Sequence, residues 1–279
     1  MNFGYLIVIA KSEEVDYLKL AYALALSIKN TQKEGYDKVA LITDDVQSVK
    51  KLKSPWVFNK VIKWDKETYW NGRSYMDELT PWDYTVCLDA DMLFFRDYSH
   101  WVDYFIENTE LYISNKAYTY RDELVIDDHY RRAFTRNDLP NLYSFYTFFK
   151  KDSSLAKEFF ELARQIIKNP EEFKNLYLKN HKPKIIGTDE AFALACKILD
   201  VSDEIAYDLD FPKVVHLKPM VQRWPWPATK TSDHVGFYLD LKGQLKIGSY
   251  QQDKIIHYNE KELVTDEVVS ILEEIAWKK

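Results

Sequence analysis

Asp89 and Asp91 stand one alanine apart at the end of the apolar run Tyr84–Leu88, and a second apolar run, Met92–Phe95, follows before Arg96 and Asp97 close the segment. Side chains alternate along a strand, so residues i and i+2 point the same way. Two carboxylates on one face at a strand end repel each other unless a cation lies between them. Oxygen ligation favours Mg²⁺ or Mn²⁺, which proteins commonly hold with one or two carboxylates and the phosphates of a substrate. Aspartates also cap turns after strands, but a cap needs neither a second carboxylate at i+2 nor an apolar run directly behind it.

The chain that must position this pair has 279 residues, 46% hydrophobic and 29% charged, with 7 Gly and 9 Pro. That composition is globular, and the length suits one α/β domain over 1–279 with an appended subregion. A formal charge of −6 argues against a general nucleic-acid binder, which gains its affinity from clustered Lys and Arg on phosphates. Cys87 and Cys196 have no metal-like spacing and are too few for a disulfide framework, so a reducing, cytoplasmic location is expected. Leu6–Ala10 is too short for a signal-peptide core, and no stretch reads as a transmembrane span.

The first hundred residues alternate β-branched runs with amphipathic stretches, the pattern of a sheet covered by helices. Phe3–Ala10 reads as a strand, and Ser12 with Glu13 and Glu14 as the start of a helix that buries Leu18, Ala21, Tyr22, Ala25 and Ile28. Lys38–Thr43 is a second strand, Val46–Lys51 a short helix, and Val57–Ile62 a third strand ending near Trp64 and Asp65. Tyr84–Leu88 is then the fourth strand, inside the sheet rather than at its start. Leu111–Ser114 continues the sheet, while Lys116–Pro140 lacks periodicity and reads as a long loop over the site. Beyond it come an aromatic strand, Leu142–Phe149, and a helix from Ser153 to Ile167 that Asn169-Pro170 ends. A helical piece near Phe173–Leu178 follows, then a helix capped by Thr188 with Asp189 and Glu190 in its first turn. Short strands near Lys213–His216, Val235–Leu239, Leu245–Ile247 and Ile255–His257 precede a final helix, Val264–Trp277.

The segment Cys87-Leu-Asp-Ala-Asp-Met-Leu-Phe-Phe-Arg-Asp97 resembles the DxD segment of GT-A glycosyltransferases, particularly the glycogenin and lipopolysaccharide galactosyltransferase group (glycosyltransferase family 8). The resemblance implies a Rossmann-like mixed sheet flanked by helices, with 1–115 as the nucleotide-sugar-binding half and 116–279 as a C-terminal acceptor-side half. It also implies that the aspartates hold Mn²⁺ or Mg²⁺ against the diphosphate of a nucleotide sugar. The strand Tyr5–Ala10, then Asp16-Tyr17, then the small-residue helix Ala21–Ser27 is similar to the family's nucleoside-binding segment, with Tyr17 where an aromatic ring stacks on uracil. Arg73 matches a basic position near the donor phosphates, and positive charge is needed there because the leaving diphosphate must be neutralised.

The third metal ligand in the family is a histidine far along the chain. Ile255-Ile-His257-Tyr258 fits, with His216 in Val214-Val-His-Leu-Lys-Pro219 as its rival. Lys261 falls near the family's phosphate-binding lysine, although the glycine and Lys-Pro-Trp ending usual there are absent. Thr188-Asp189-Glu190 is similar to the family's Asp-Gln pair beside the donor sugar, which makes Asp189 the candidate catalytic residue; acids in a first helical turn also stabilise the helix dipole with no such duty. Asn141–Ser144 lies where the family contacts the sugar, here with aromatic replacements. Asp127-Asp128-His129 is a competing acidic cluster, and Trp224-Pro-Trp226 offers platforms for sugar faces.

The resemblance implies a metal-dependent transfer of a sugar from a nucleotide diphosphate, uridine being the expected base, to an unidentified saccharide, protein or small acceptor, with retention of anomeric configuration. In that scheme Asp91 and His257 bind the metal and Asp89 bridges metal and ribose. Two alternatives stay open. A haloacid-dehalogenase-like phosphohydrolase would use Asp89 as nucleophile, although such motifs sit on the first strand and carry Thr or Val where Met92 stands. A carbohydrate-binding module would use the metal structurally.

Overall fold

A computed structural model describes residues 1–64, 72–126, 131–207, 209, 212–222, 224 and 230–278. The chain runs through β1 (Phe3–Val8), α1 (Tyr17–Thr31), β2 (Val39–Thr43), α2 (Val46–Val49), β3 (Lys60–Lys63), α3 (Met76–Leu79), β4 (Tyr84–Leu88) and β5 (Met92–Leu93). It continues with α4 (Ser99–Asn108), β6 (Leu111–Ser114), α5 (Arg132–Asn137), β7 (Tyr143–Lys150), α6 (Ser154–Lys168), α7 (Pro170–Tyr177), α8 (Thr188–Leu199) and α9 (Ser202–Ile205). Four short strands, β8 (Val214–Leu217), β9 (Phe237–Leu239), β10 (Leu245–Ile247) and β11 (Tyr250–Gln252), lead to β12 (Ile255–Tyr258) and α10 (Asp266–Lys278).

The main sheet has the order β3-β2-β1-β4-β7-β6. β1 to β4 are mutually parallel where they pair, and β7 runs antiparallel to both β4 and β6. Residues of β1 alternate between two cores, as a strand covered on both faces requires. Phe3, Tyr5 and Ile7 join the α1 side, whereas Leu6 joins the cluster built with α6 and α8. Gly4 is obligatory at its position, because a Cβ there would meet the Trp82 indole at 2.5 Å. The sheet is therefore α/β and mixed, flanked by helices, as the sequence predicts.

The strand order reverses at β1: β2 lies on one side and β4 on the other. In open α/β sheets the crevice at the carboxyl ends of such strands is where ligands bind. Asp89 and Asp91 emerge there from β4. A second, small sheet, β5-β12-β8, is built directly on the Asp91 segment, and β9–β11 form an antiparallel meander.

Several boundaries differ from the expectations for physical reasons. Ser12 does not start a helix: its hydroxyl accepts from the amides of Glu14 and Val15 in a local turn, and α1 begins after Asp16, whose carboxylate accepts from Lys19 N. Thr188 is the first residue of α8 rather than its cap. Gly187 is the cap, and the Glu190 carboxylate accepts from its amide at 3.0 Å. Pro55–Val57 forms a 3-10 turn, so β3 is confined to Lys60–Lys63. The segment expected to be a loop contains α5, and the two-residue β5 and three-residue β11 carry too little pattern to be seen in sequence. Cys87 and Cys196 are buried free thiols, both pushed up to about 11 by burial, so they stay protonated. Among the described residues no helix is long and apolar enough to cross a membrane.

Candidate functional site

The site is assembled by strand register. β12 pairs antiparallel with β5 and parallel with β8, which sets His257 opposite Met92 on one side and His216 on the other. Tyr258 N donates to the carbonyl of Asp91 at 3.0 Å, so the backbone pairing itself brings the C-terminal strand to the acidic pair. Asp89, Asp91 and His257 offer three ligand atoms within 4.8 Å of one another. His257 Nε2 lies 3.4 Å from Asp89 Oδ2 and 3.5 Å from Asp91 Oδ2. These separations are longer than an N–H···O hydrogen bond.

The rival histidine lies behind this triad instead of within it. His216 Nδ1 faces His257 Nδ1 at 3.1 Å, and its ring packs near Tyr143 and Phe145. Burial and the adjacent His257, Lys218 and Arg131 hold its basicity well below the ordinary imidazole range, so it is neutral.

Two cations lean on the carboxylates. Arg73 pairs with Asp89 Oδ1 and Lys261 with Asp91 Oδ2. Burial opposes ionisation of Asp91, but His257 and Lys261 outweigh it and hold the carboxyl below the usual carboxylate range. Two carboxylates and one imidazole form a donor set able to hold a divalent cation. Arg73 and Lys261 balance the charge of the two carboxylates, and Lys261 occupies an oxygen that such an ion would use.

Tyr17 opens α1 and borders two adjoining cavities. One, of about 520 Å³, lies at the ends of β1 and β2 and is lined by Ile9, Lys11, Thr43, Asp45 and Ser48 among others. The second, of about 280 Å³, is lined by Val8, Tyr17, Arg73, Asp89, Ala90, Asp91 and Lys261. Arg73 reaches it from a short 3-10 helical stretch, residues 72–75, that runs directly into α3.

Asp189 joins the same site through a hydrogen-bonded relay. Arg73 Nη1 donates to Ser144 Oγ at 2.8 Å, and that hydroxyl donates to Asp189 Oδ1 at 2.6 Å. Ser144 N donates to the same oxygen at 2.9 Å. Arg131 Nη1 donates to Asp189 Oδ2 at 2.9 Å, and Nη2 to the carbonyl of Leu142. Burial raises the Asp189 carboxyl, but Arg131 and the two Ser144 hydrogen bonds bring it below its ordinary value. Glu190 points the other way, onto its cap, and burial beside Asp189 pushes its carboxyl up.

The sequence reading missed Arg131. Its guanidinium is buried, 3.8 Å from the ring centre of Phe134 and 4.2 Å from that of Tyr143. In sequence it is one of two adjacent arginines, the usual signature of a solvated surface, and only the aromatic residue at i+3 hints otherwise. Asp127-Asp128-His129 and Trp226 lie outside the described residues. Trp224 stacks on His234 with ring centres 4.2 Å apart.

No family model matches the sequence, and no curated protein matches it. Solved structures do match the fold. Mouse xyloside xylosyltransferase 1 aligns with a TM-score of 0.56 at 14% identity, covering 93% of this chain and 98% of that one. The WbbM bifunctional glycosyltransferase aligns with a TM-score of 0.56 at 12% identity over 98% of this chain. Only 51% of WbbM is covered, so the chain spans about half its length. At these identities the likeness establishes the architecture, and this chain has the GT-A glycosyltransferase fold.

Proposed function

We propose that the protein is a glycosyltransferase that moves a sugar from a nucleotide diphosphate, with uridine as the base, to a saccharide, protein or small acceptor with retention of configuration. The reading is carried by one observation: Asp89, Asp91 and His257 converge at the carboxyl end of a central strand, beside two cavities that meet at Tyr17. Under it, residues 1–115 form the donor half, 116–279 the acceptor side, and the mechanism resembles that of family 8 enzymes. The free thiols suit a reducing compartment.

Asp89, Asp91 and His257 would hold Mn²⁺ or Mg²⁺. Bound there, the ion would supply Lewis-acid charge to the departing diphosphate and orient it. Tyr17 stacks on the base in the larger cavity while the diphosphate occupies the smaller one. Arg73 and Lys261, released from the aspartates, place positive charge where the leaving group gains negative charge. Asp189, kept ionised by Arg131 and Ser144, presents its carboxylate toward the donor sugar and stabilises positive charge developing at the anomeric carbon. Because Ser144 binds both Arg73 and Asp189, the phosphate-facing and sugar-facing charges are held in one fixed relation.

The phosphohydrolase alternative gains nothing from the architecture. Asp89 follows a central fourth strand whose neighbour β7 is antiparallel, whereas the nucleophile of such hydrolases sits on the first strand. A thermal-shift panel of nucleoside diphosphates with and without Mn²⁺ tests the proposal. Stabilisation by UDP that requires the metal is expected; metal-independent stabilisation, or none by any nucleotide, contradicts it.

A further inference from the structure

A second buried histidine stands directly behind the proposed metal ligand, and its geometry is specific. His216 is only 6% exposed and lies opposite His257 on the neighbouring parallel strand. Its backbone N donates to Tyr118 O at 2.9 Å, and its carbonyl accepts from the buried Gln222 Nε2 at 2.7 Å. The ring centres of Tyr143 and Phe145 lie 6.1 and 6.0 Å from its own. The residue is thus fixed by backbone and packing, with Nδ1 aimed at His257 Nδ1 at 3.1 Å.

A hydrogen bond between two ring nitrogens needs one with a proton and one without. If His257 Nδ1 were the acceptor, its neutral ring would carry the proton on Nε2, directed at Asp89 and Asp91, and no lone pair would face them. If His257 Nδ1 is the donor, Nε2 presents its lone pair to the two carboxylates. The 3.4 and 3.5 Å separations to those carboxylates leave a gap rather than a pair of short hydrogen bonds. We infer that His216 is the positioning residue for the metal site: its unprotonated Nδ1 accepts from His257 Nδ1–H and so fixes the tautomer and orientation in which His257 Nε2 ligates a divalent cation. The inference rests on the proposed reading of Asp89, Asp91 and His257 as ligands. Metal-bound histidines generally need such a partner on the other nitrogen, and its loss typically costs about 10–100-fold in metal affinity.

The test uses the full chain with Mn²⁺ alone, titrated by electron paramagnetic resonance of the free ion, with near-UV circular dichroism as a check on packing. His216→Phe fills the aromatic niche but offers no acceptor, whereas His216→Asn fills it poorly and restores one. Positioning predicts that His216→Phe weakens Mn²⁺ binding about 10–100-fold and that His216→Asn recovers most of the loss. A purely structural role predicts the opposite order, because phenylalanine packs better there. Unchanged affinity in His216→Phe, or equal loss in both variants, overturns the inference while leaving the metal site standing. No Mn²⁺ uptake by the unaltered protein overturns the ligand reading and this inference together.

Discussion

Arg131 and Asp189 are expected to be strongly coupled in stability, and a double-mutant cycle measures the coupling. The Arg131 side chain is 4% exposed and that of Asp189 32% exposed, with Nη1 and Oδ2 2.9 Å apart. Breaking one partner of a fully buried pair costs roughly 3–5 kcal/mol, and the exposure of Asp189 reduces this to about 2–3 kcal/mol. Arg131→Met retains apolar contact with Phe134 and Tyr143 but leaves the carboxylate without its cation. Asp189→Asn keeps an oxygen for the two Ser144 donors but turns an amide toward a buried guanidinium. Each single variant should therefore lose about 2–3 kcal/mol. The double variant buries no unpaired charge, so it should lose no more than about one of the singles, a coupling of roughly 2 kcal/mol. Urea unfolding followed by tryptophan fluorescence supplies the three differences. Losses that add within about 0.5 kcal/mol would refute the claim that Arg131 holds Asp189 in place.

The same pair sets part of the acid limb of stability. Asp189 is held below its ordinary value in the folded chain, so its ionisation stabilises the fold at neutral pH and that contribution fades as pH falls below about 4. Asp189→Asn should lose less stability between pH 5 and pH 3, by about one group's share, and an unchanged slope in acid unfolding would argue against a lowered carboxyl. Tyr17→Leu should weaken UDP binding in calorimetry by about 1–3 kcal/mol, the scale of base–aromatic stacking, and leave Mn²⁺ affinity unchanged; a parallel fall in metal affinity would contradict its place at the base. Lys261→Met removes the ammonium from Asp91, so Mn²⁺ alone should bind at least as tightly while UDP with Mn²⁺ binds roughly tenfold more weakly. Equal losses for both would remove Lys261 from the phosphate site.

The parts of this fold that sequence makes legible are those with a continuous apolar signal. β1, β2, β4, β6 and β7 are buried runs flanked by polar breaks, and their order places Asp89 and Asp91 at the carboxyl end of the fourth strand. Local side-chain competition decides helix starts: Ser12 spends its hydroxyl on a turn, and Gly187 takes the cap because Glu190 reaches back to its amide. The choice between His216 and His257 is not local at all. Both follow short apolar strands, and only the pairing of β12 between β5 and β8 puts one against the aspartates and the other behind it. Arg131 is hidden for the same reason, since its partner lies 58 residues away and its burial depends on Phe134 and Tyr143 closing over it.

Anomalous diffraction at the manganese edge, from crystals of the protein grown with Mn²⁺ and UDP, tests the central claim most directly. The account predicts a manganese peak bounded by Asp89, Asp91 and His257, with the diphosphate completing its shell beside Arg73 and Lys261. Bound UDP with no manganese at that triad, or with manganese held by other residues, would contradict it.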